Sequence, residues 1–237
     1  MDYKVERHDR TARIIGTFVL VSFILPIGYL IYRIVVSPAE LPEEATIRTK
    51  PDYVLMLVQC ILGIFALMMP SFVSKRYKVQ IPTLMYILYV VFLYGAIFLG
   101  EVRSFYYNVP HWDTILHTFS GAMIGALGFS FVSLLNREEN VHLKLTPFFI
   151  AFFAFCFAVT LGVVWEIYEY TFDGVLGLNM QKFALEDGTL LSGRLALADT
   201  MKDLIVDAVG AFVMSLIGYI SLKNNKGWVE KMLIKKE

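Results

Sequence analysis

Six stretches of the chain are apolar for close to 20 residues each, the length that crosses about 30 Å of hydrocarbon at a helical rise of 1.5 Å per residue. They fall at roughly 14–36, 52–74, 81–101, 113–135, 147–170 and 200–222. Polar positions punctuate them unevenly: the ionisable residues inside the last four runs crowd toward one end, and the other halves carry almost none. The sixth run departs most from a plain apolar helix. Asp199, Asp203 and Asp207 recur every four residues, which on a helix makes one narrow acidic stripe. An Asp near the bilayer centre costs about 2.5 to 3.5 kcal/mol on insertion scales, so three on one face require partners on neighbouring helices.

The predicted fold is all-α, a single polytopic membrane domain built as a bundle of six transmembrane helices. Composition agrees: 57% of residues are hydrophobic and 15% aromatic, with mean hydropathy +0.61, above the roughly 45–50% apolar content of soluble domains. The net charge of zero hides an asymmetry along the chain. Fourteen of the 21 basic residues, among them Lys4, Arg7, Arg10, Arg13, Lys75, Arg76, Lys78, Arg137 and Lys144 and the tail lysines from Lys223 onward, lie on one side of an even-numbered bundle. The positive-inside rule then puts both termini in the cytoplasm of a bacterial cell, with the protein in the plasma membrane. Glu40, Glu43 and Glu44 fall on the opposite side, with Trp112, Trp165 and Tyr168 near that interface. The charged segment before the first run has no small-residue cleavage site after it, so that run is read as a retained span.

Several features are read as structural. Cys60 and Cys156 sit in apolar runs, far from any metal-type spacing. Pro26 and Pro70 are expected to kink the first two helices, and Pro147 suits a helix start. Gly121, Gly125 and Gly128 form a small-residue face for close helix approach. Residues 174–198 make the longest outer connection, read as a hairpin turning at Asp187-Gly188 that covers the bundle's mouth or is simply solvated. His8 and His142 lie in basic segments and are expected to be solvated, and the basic tail with Trp228 is expected to lie along the inner membrane surface.

The polar residues that enter the spans converge. Span four opens with His111-Trp112-Asp113, and His117 follows Asp113 by four residues on the same face, with Ser120 one turn on. Span five ends with Glu166, Glu169 and Asp173 on one face. His117, Glu166 and Asp207 reach similar depths from the outer side, about 6 to 10 Å by the helical rise. With Glu101 included, eight acids face four bases: Arg103, Lys182, Arg194 and Lys202. Such an excess calls for a bound cation or shared protons. Three readings follow: a structural network pinning helix ends, a proton- or cation-coupled transport or ligand cavity open to one side, and a divalent-metal site doing chemistry. In the last, Asp113, His117, Glu166, Glu169, Asp203 and Asp207 are the expected metal ligands. His117, Glu166 and Asp203 are the residues expected to take part in the reaction, and Arg103, Arg194 and Lys202 to bind substrate, Arg194 as a phosphate clamp. No Gly-x-Ser-x-Gly, phosphate loop or His-Glu-x-x-His occurs.

With these residues in place, the order of motifs resembles the VanZ-like superfamily of bacterial integral membrane proteins, or a related group of inner-membrane proteins. The matching elements are Asp113-x-x-x-His117, Glu166 near the end of the next helix, then Gly193-Arg194, Asp199 or Asp203, Asp207 and Gly210-Ala211, covering about residues 110–215. The superfamily usually has Asn at the place of Asp207, so this site is more acidic than its pattern. The resemblance implies a role at the cell envelope; membrane lipids and a lipid-linked envelope precursor are the expected partners, with no nucleic acid. The working expectation is a metal-dependent hydrolase or transferase of envelope lipids, with transport the alternative.

Overall fold

A computed structural model describes residues 10–37, 50–136, 145–185 and 189–236. Among them are six helices long and apolar enough to cross a membrane. They are α1 (Arg10–Val36), α2 (Lys50–Tyr77), α3 (Thr83–Leu93, continued by a π-helical segment Tyr94–Val102), α5 (Trp112–Asn136), α6 (Pro147–Leu176) and α7 (Arg194–Lys223), with a four-residue α4 (Phe105–Asn108) between the third and fourth spans. Each expected apolar run coincides with one of these helices to within a few residues, except that α6 continues six residues past its run and α7 begins six residues before its own. Lys4, Arg7, His8, Glu40, Glu43, Glu44, Arg137, His142, Lys144 and the turn Glu186-Asp187-Gly188 lie outside the described residues.

The second half of the third span is π-helical rather than the α-helix its apolar run predicts. Gly95 and Gly100 make room for this. The Gly95 carbonyl accepts the Trp112 indole N–H at 3.1 Å, and the Tyr106 ring lies against Gly100, where a Cβ would meet it. π-Helical turns are rare and leave carbonyls open to side-chain donors, which is how Trp112 anchors the start of α5.

Two layers make up the bundle. Helices α1, α2 and α3 pack through Val19, Phe23, Leu67, Val90 and Leu93, and a second cluster holds Leu30, Tyr53, Met56 and Cys60. Helices α5, α6 and α7 form a tighter trio. The α5–α7 contact is closest: a Cβ on Gly121 would run into the Asp207 backbone, and one on Gly210 into the Thr118 carbonyl oxygen and the Ala122 nitrogen. Two backbones therefore touch across small residues, as the glycine face of span four predicts. This approach brings Asp207 to within reach of His117.

Helix α6 starts as its sequence suggests, with Pro147 at the first turn and the Thr146 hydroxyl capping the Phe149 N–H at 3.2 Å. It ends at Gly177, in the left-handed region at φ 66°. There Asp173 turns back, and its two carboxylate oxygens accept the Met180 and Gln181 N–H groups at 2.8 and 2.9 Å. Asp173→Ala should therefore lower thermal stability by about 1 to 3 kcal/mol, since it leaves both N–H groups without their acceptor; a melting curve on the solubilised protein reads this directly. The hairpin arms pair as expected, with Ala184 opposite Leu190, and the Leu185 N–H donating to Thr189 and the Leu191 N–H to Phe183, both at 2.9 Å.

The C-terminal tail does not simply lie along a surface. Trp228 is exposed, but Val229 and Leu233 are buried against Phe129, Val132, Ile150 and Ala154. The spacing of these two apolar residues lets one face of the tail enter the bundle while its lysines stay outside. Lys235 and Lys236 then pair with Val79 and Gln80 as a two-stranded antiparallel ribbon, tying the α2–α3 turn to the tail.

Candidate metal centre

His117, in the second turn of α5, is the hub. Its Nδ1 lies 3.3 Å from Asp207 Oδ2 on α7, and its Nε2 lies 3.8 Å from Asp113 Oδ1 and 4.0 Å from Asp203 Oδ2. The other Asp207 oxygen accepts from the Ser120 hydroxyl at 3.1 Å, and Asp207 also abuts Gly162 of α6. The helical spacings account for the arrangement: Asp113 and His117 are one turn apart on α5, as are Asp203 and Asp207 on α7. Asp113, His117 and Asp203 each offer a ligand atom, and these atoms lie within 4.8 Å of one another.

The two imidazole nitrogens have different surroundings. Asp207 is the nearest acceptor for a proton on Nδ1, and in the tautomer that places it there Nε2 presents its lone pair toward Asp113 and Asp203. This is the arrangement by which a second carboxylate orients a metal-binding histidine. Asp207, expected from the sequence among the ligands, lies on the Nδ1 side of the ring, while the ligand atoms that group together belong to Asp113, His117 and Asp203.

Glu166 and Glu169 of α6 are buried beside this group. Glu169 accepts the Trp165 indole N–H at 2.9 Å. Neither Glu166 oxygen closes a hydrogen bond, and Asp203 Oδ1 also lacks one. The Thr200 hydroxyl, which accepts from the Gln181 amide at 3.0 Å, keeps its own proton and is placed to donate it to Glu166. Buried carboxylate oxygens with few donors are costly as anions, so Asp203 and Glu166 suit a bound cation or a shared proton.

The cation that the described residues do bring in is Lys182, from the loop after α6. Its Nζ is 3.9 Å from Asp113 Oδ2, donates to the Met180 carbonyl at 3.3 Å, and sits 4.8 Å from the centre of the Tyr106 ring. Burial works against its charge, but Asp113, Asp199 and Glu169 outweigh it and hold the ammonium above its ordinary pKa. Burial, together with Asp113, Glu101, Glu169 and Asp203, pushes the Tyr106 phenol well above its usual value, so it remains a neutral donor. Arg103 and Arg194 are exposed, and neither makes an ion pair among the described residues; Lys202 is half-buried and close enough to act on Asp199 and Asp203. The sequence signal for Lys182 is its place in a loop long enough to fold over the bundle. Nothing in residue spacing pairs it with Asp113.

Six membrane-length helices, with a carboxylate–imidazole group where three of them meet, define an integral membrane protein carrying a set of side chains that could hold a metal. The chain belongs to the family described as "Predicted membrane protein (DUF2238)", whose model matches residues 44–224. A protein of Thermotoga maritima, described as an uncharacterized protein, is 32% identical over 130 residues, covering 54% of this chain and 57% of that one. The matched region therefore spans little more than half of that relative. No solved structure matches.

Proposed function

We propose that Asp113, His117 and Asp203 hold a divalent cation and that the site acts on a lipid or lipid-linked substrate of the bacterial cell envelope. The observation that carries this reading is the convergence of one imidazole and two carboxylate ligand atoms, on two different helices, within 4.8 Å of one another in a largely buried group. Three ligands about 2.1 Å from one metal stand ~3.0 to 3.6 Å apart, so the 3.8 and 4.0 Å separations at His117 close by several tenths of an ångström on binding and the carboxylate pair, within 4.8 Å, by up to about an ångström more. Mixed imidazole and carboxylate donors favour Mn2+ or Zn2+ over Mg2+ and Ca2+.

Such an ion, when bound, polarises an ester or phosphoester and lowers the pKa of water. The chain's own groups supply the rest. Glu166, buried beside His117, is the acceptor for a proton from an attacking water, and Asp207 fixes the imidazole. Orientation follows from charge: Arg10, Arg13, Lys75, Arg76 and Lys78 share an end with the tail lysines, which supports cytoplasmic termini in the plasma membrane and a site facing outward. The resemblance to VanZ-like proteins supports the same envelope location.

Reconstitution tests the chemistry. Vesicles of bacterial polar lipids containing the protein should change headgroup composition, by mass spectrometry, when Mn2+ or Zn2+ is added, and not with chelator or with His117→Ala. Unchanged lipid in metal-loaded vesicles, with cation or proton flux instead, would establish the transport alternative. Asp207→Asn should weaken metal affinity by ~10- to 100-fold without removing a ligand, as loss of an outer-shell partner does. A titration of metal into the purified variant measures it; undiminished affinity would leave Asp207 with a packing role alone.

A further inference from the structure

Beside the metal centre lies a cavity of about 420 Å³, formed by α4, the hairpin and the first turns of α7. That is within the range of small-molecule pockets. Its lining is chemically of two kinds. Tyr106, Lys182 and Asp199 are its polar lining and Leu185, Leu191 and Leu195 its apolar lining. The apolar lip continues outward, with Leu195 66% and Leu190 71% exposed, so the cavity's leucine lining runs onto a surface that suits hydrocarbon. The polar lining holds one ammonium and one carboxylate. Lys182 has three donors and uses one on the Met180 carbonyl and one toward Asp113, which leaves a donor for a ligand. The same side chain connects the cavity to the metal centre, because it lines the first and reaches Asp113 in the second.

We infer that this cavity binds a phospholipid whose zwitterionic head carries both a phosphate and an ammonium, the phosphate toward Lys182 and Tyr106, the ammonium toward Asp199, and the chain along Leu185, Leu191 and Leu195. The inference names a substrate class for the proposed metal centre and rests on that reading only for what happens after binding. A charge pair in one cavity selects a head bearing both signs over one bearing only a negative charge, since the head's own ammonium offsets the Lys182 that its phosphate draws away from Asp199, which a lone anion cannot do. The leucine lining selects for an attached chain over the free head.

Short-chain probes below their micellar concentration, titrated into the full chain in non-ionic detergent, separate these contributions. Dihexanoyl phosphatidylethanolamine should bind at least ten-fold more tightly than dihexanoyl phosphatidylglycerol, and at least ten-fold more tightly than chain-free glycerophosphoethanolamine. Asp199→Asn should erase the first preference, and Leu195→Asp or, if that variant does not fold, Leu191→Asn should erase the second, each with metal content unchanged. Equal binding of the two lipids, equal binding of the chain-free head, or preferences that survive these substitutions would overturn the inference. Lipid preference without any bound metal would overturn the metal centre instead and leave the cavity's assignment standing.

Discussion

Gly210→Val should lower the thermal midpoint of the solubilised protein by about 5 to 10 °C and abolish metal binding in the same variant, whereas Gly174→Ala should leave both as they were. The two glycines lie in long helices of the same trio, and only their surroundings differ. A Cβ on Gly174 meets nothing within 4 Å, so a methyl there adds helix propensity at no steric cost. A Cβ on Gly210 runs into the Thr118 carbonyl and the Ala122 nitrogen, which are backbone atoms and cannot rotate away. Relief requires α5 and α7 to separate. Asp203 and Asp207 ride on α7 and Asp113 and His117 on α5, so a separation that spares the fold still breaks the 3.3 and 4.0 Å approaches at His117. An unshifted melting curve for Gly210→Val would show that the two helices are held apart by more than their glycines.

Asp203→Asn should have opposite effects on stability and on binding. Metal-free protein carrying this change should melt at the wild-type temperature or higher, because a 1% exposed carboxylate with a donorless oxygen loses its charge among Asp113, Asp199 and Asp207. Metal affinity should fall by at least ~100-fold, more than for loss of an outer-shell partner, since a ligand is gone. Wild-type protein at a metal concentration 100 times its Kd should gain about 2.7 kcal/mol of stability, and Asp203→Asn should gain almost none. If the network is purely structural, added metal will not move either melting curve. That contrast is sharper than a loss of activity, because misfolding cannot imitate a variant that is stable and unresponsive.

The bundle is largely legible in the apolar pattern. Hydrocarbon thickness fixes span length, so six apolar runs translate into six helices with little freedom. The four-residue repeats are equally direct, since Asp113 with His117 and Asp203 with Asp207 must share faces on any α-helix. What spacing within a helix cannot convey is the rotation of one helix against another. That is why the sequence puts Asp207 among the ligands while the structure sets it behind the imidazole, and why Asp173, counted with the same acids, instead caps the chain at Met180 and Gln181. Lys182 is counted from the sequence among the four bases facing the acids, but its partner is hidden for a related reason: it reaches Asp113 through a loop whose path depends on the Gly177 turn and the hairpin. The π-helical segment is also hidden, because the apolar run that announces a span is equally compatible with either helical pitch. The burial of Val229 and Leu233 is masked by a basic tail whose charges draw the reading toward a membrane surface.

One measurement bears on the central claim most directly: the metal content of purified protein loaded with Mn2+ or Zn2+ and then passed through a desalting column, for wild type beside His117→Ala. The account predicts close to one ion per chain in the wild type and almost none in the variant. No retained metal in the wild type, or equal retention in both, would contradict it.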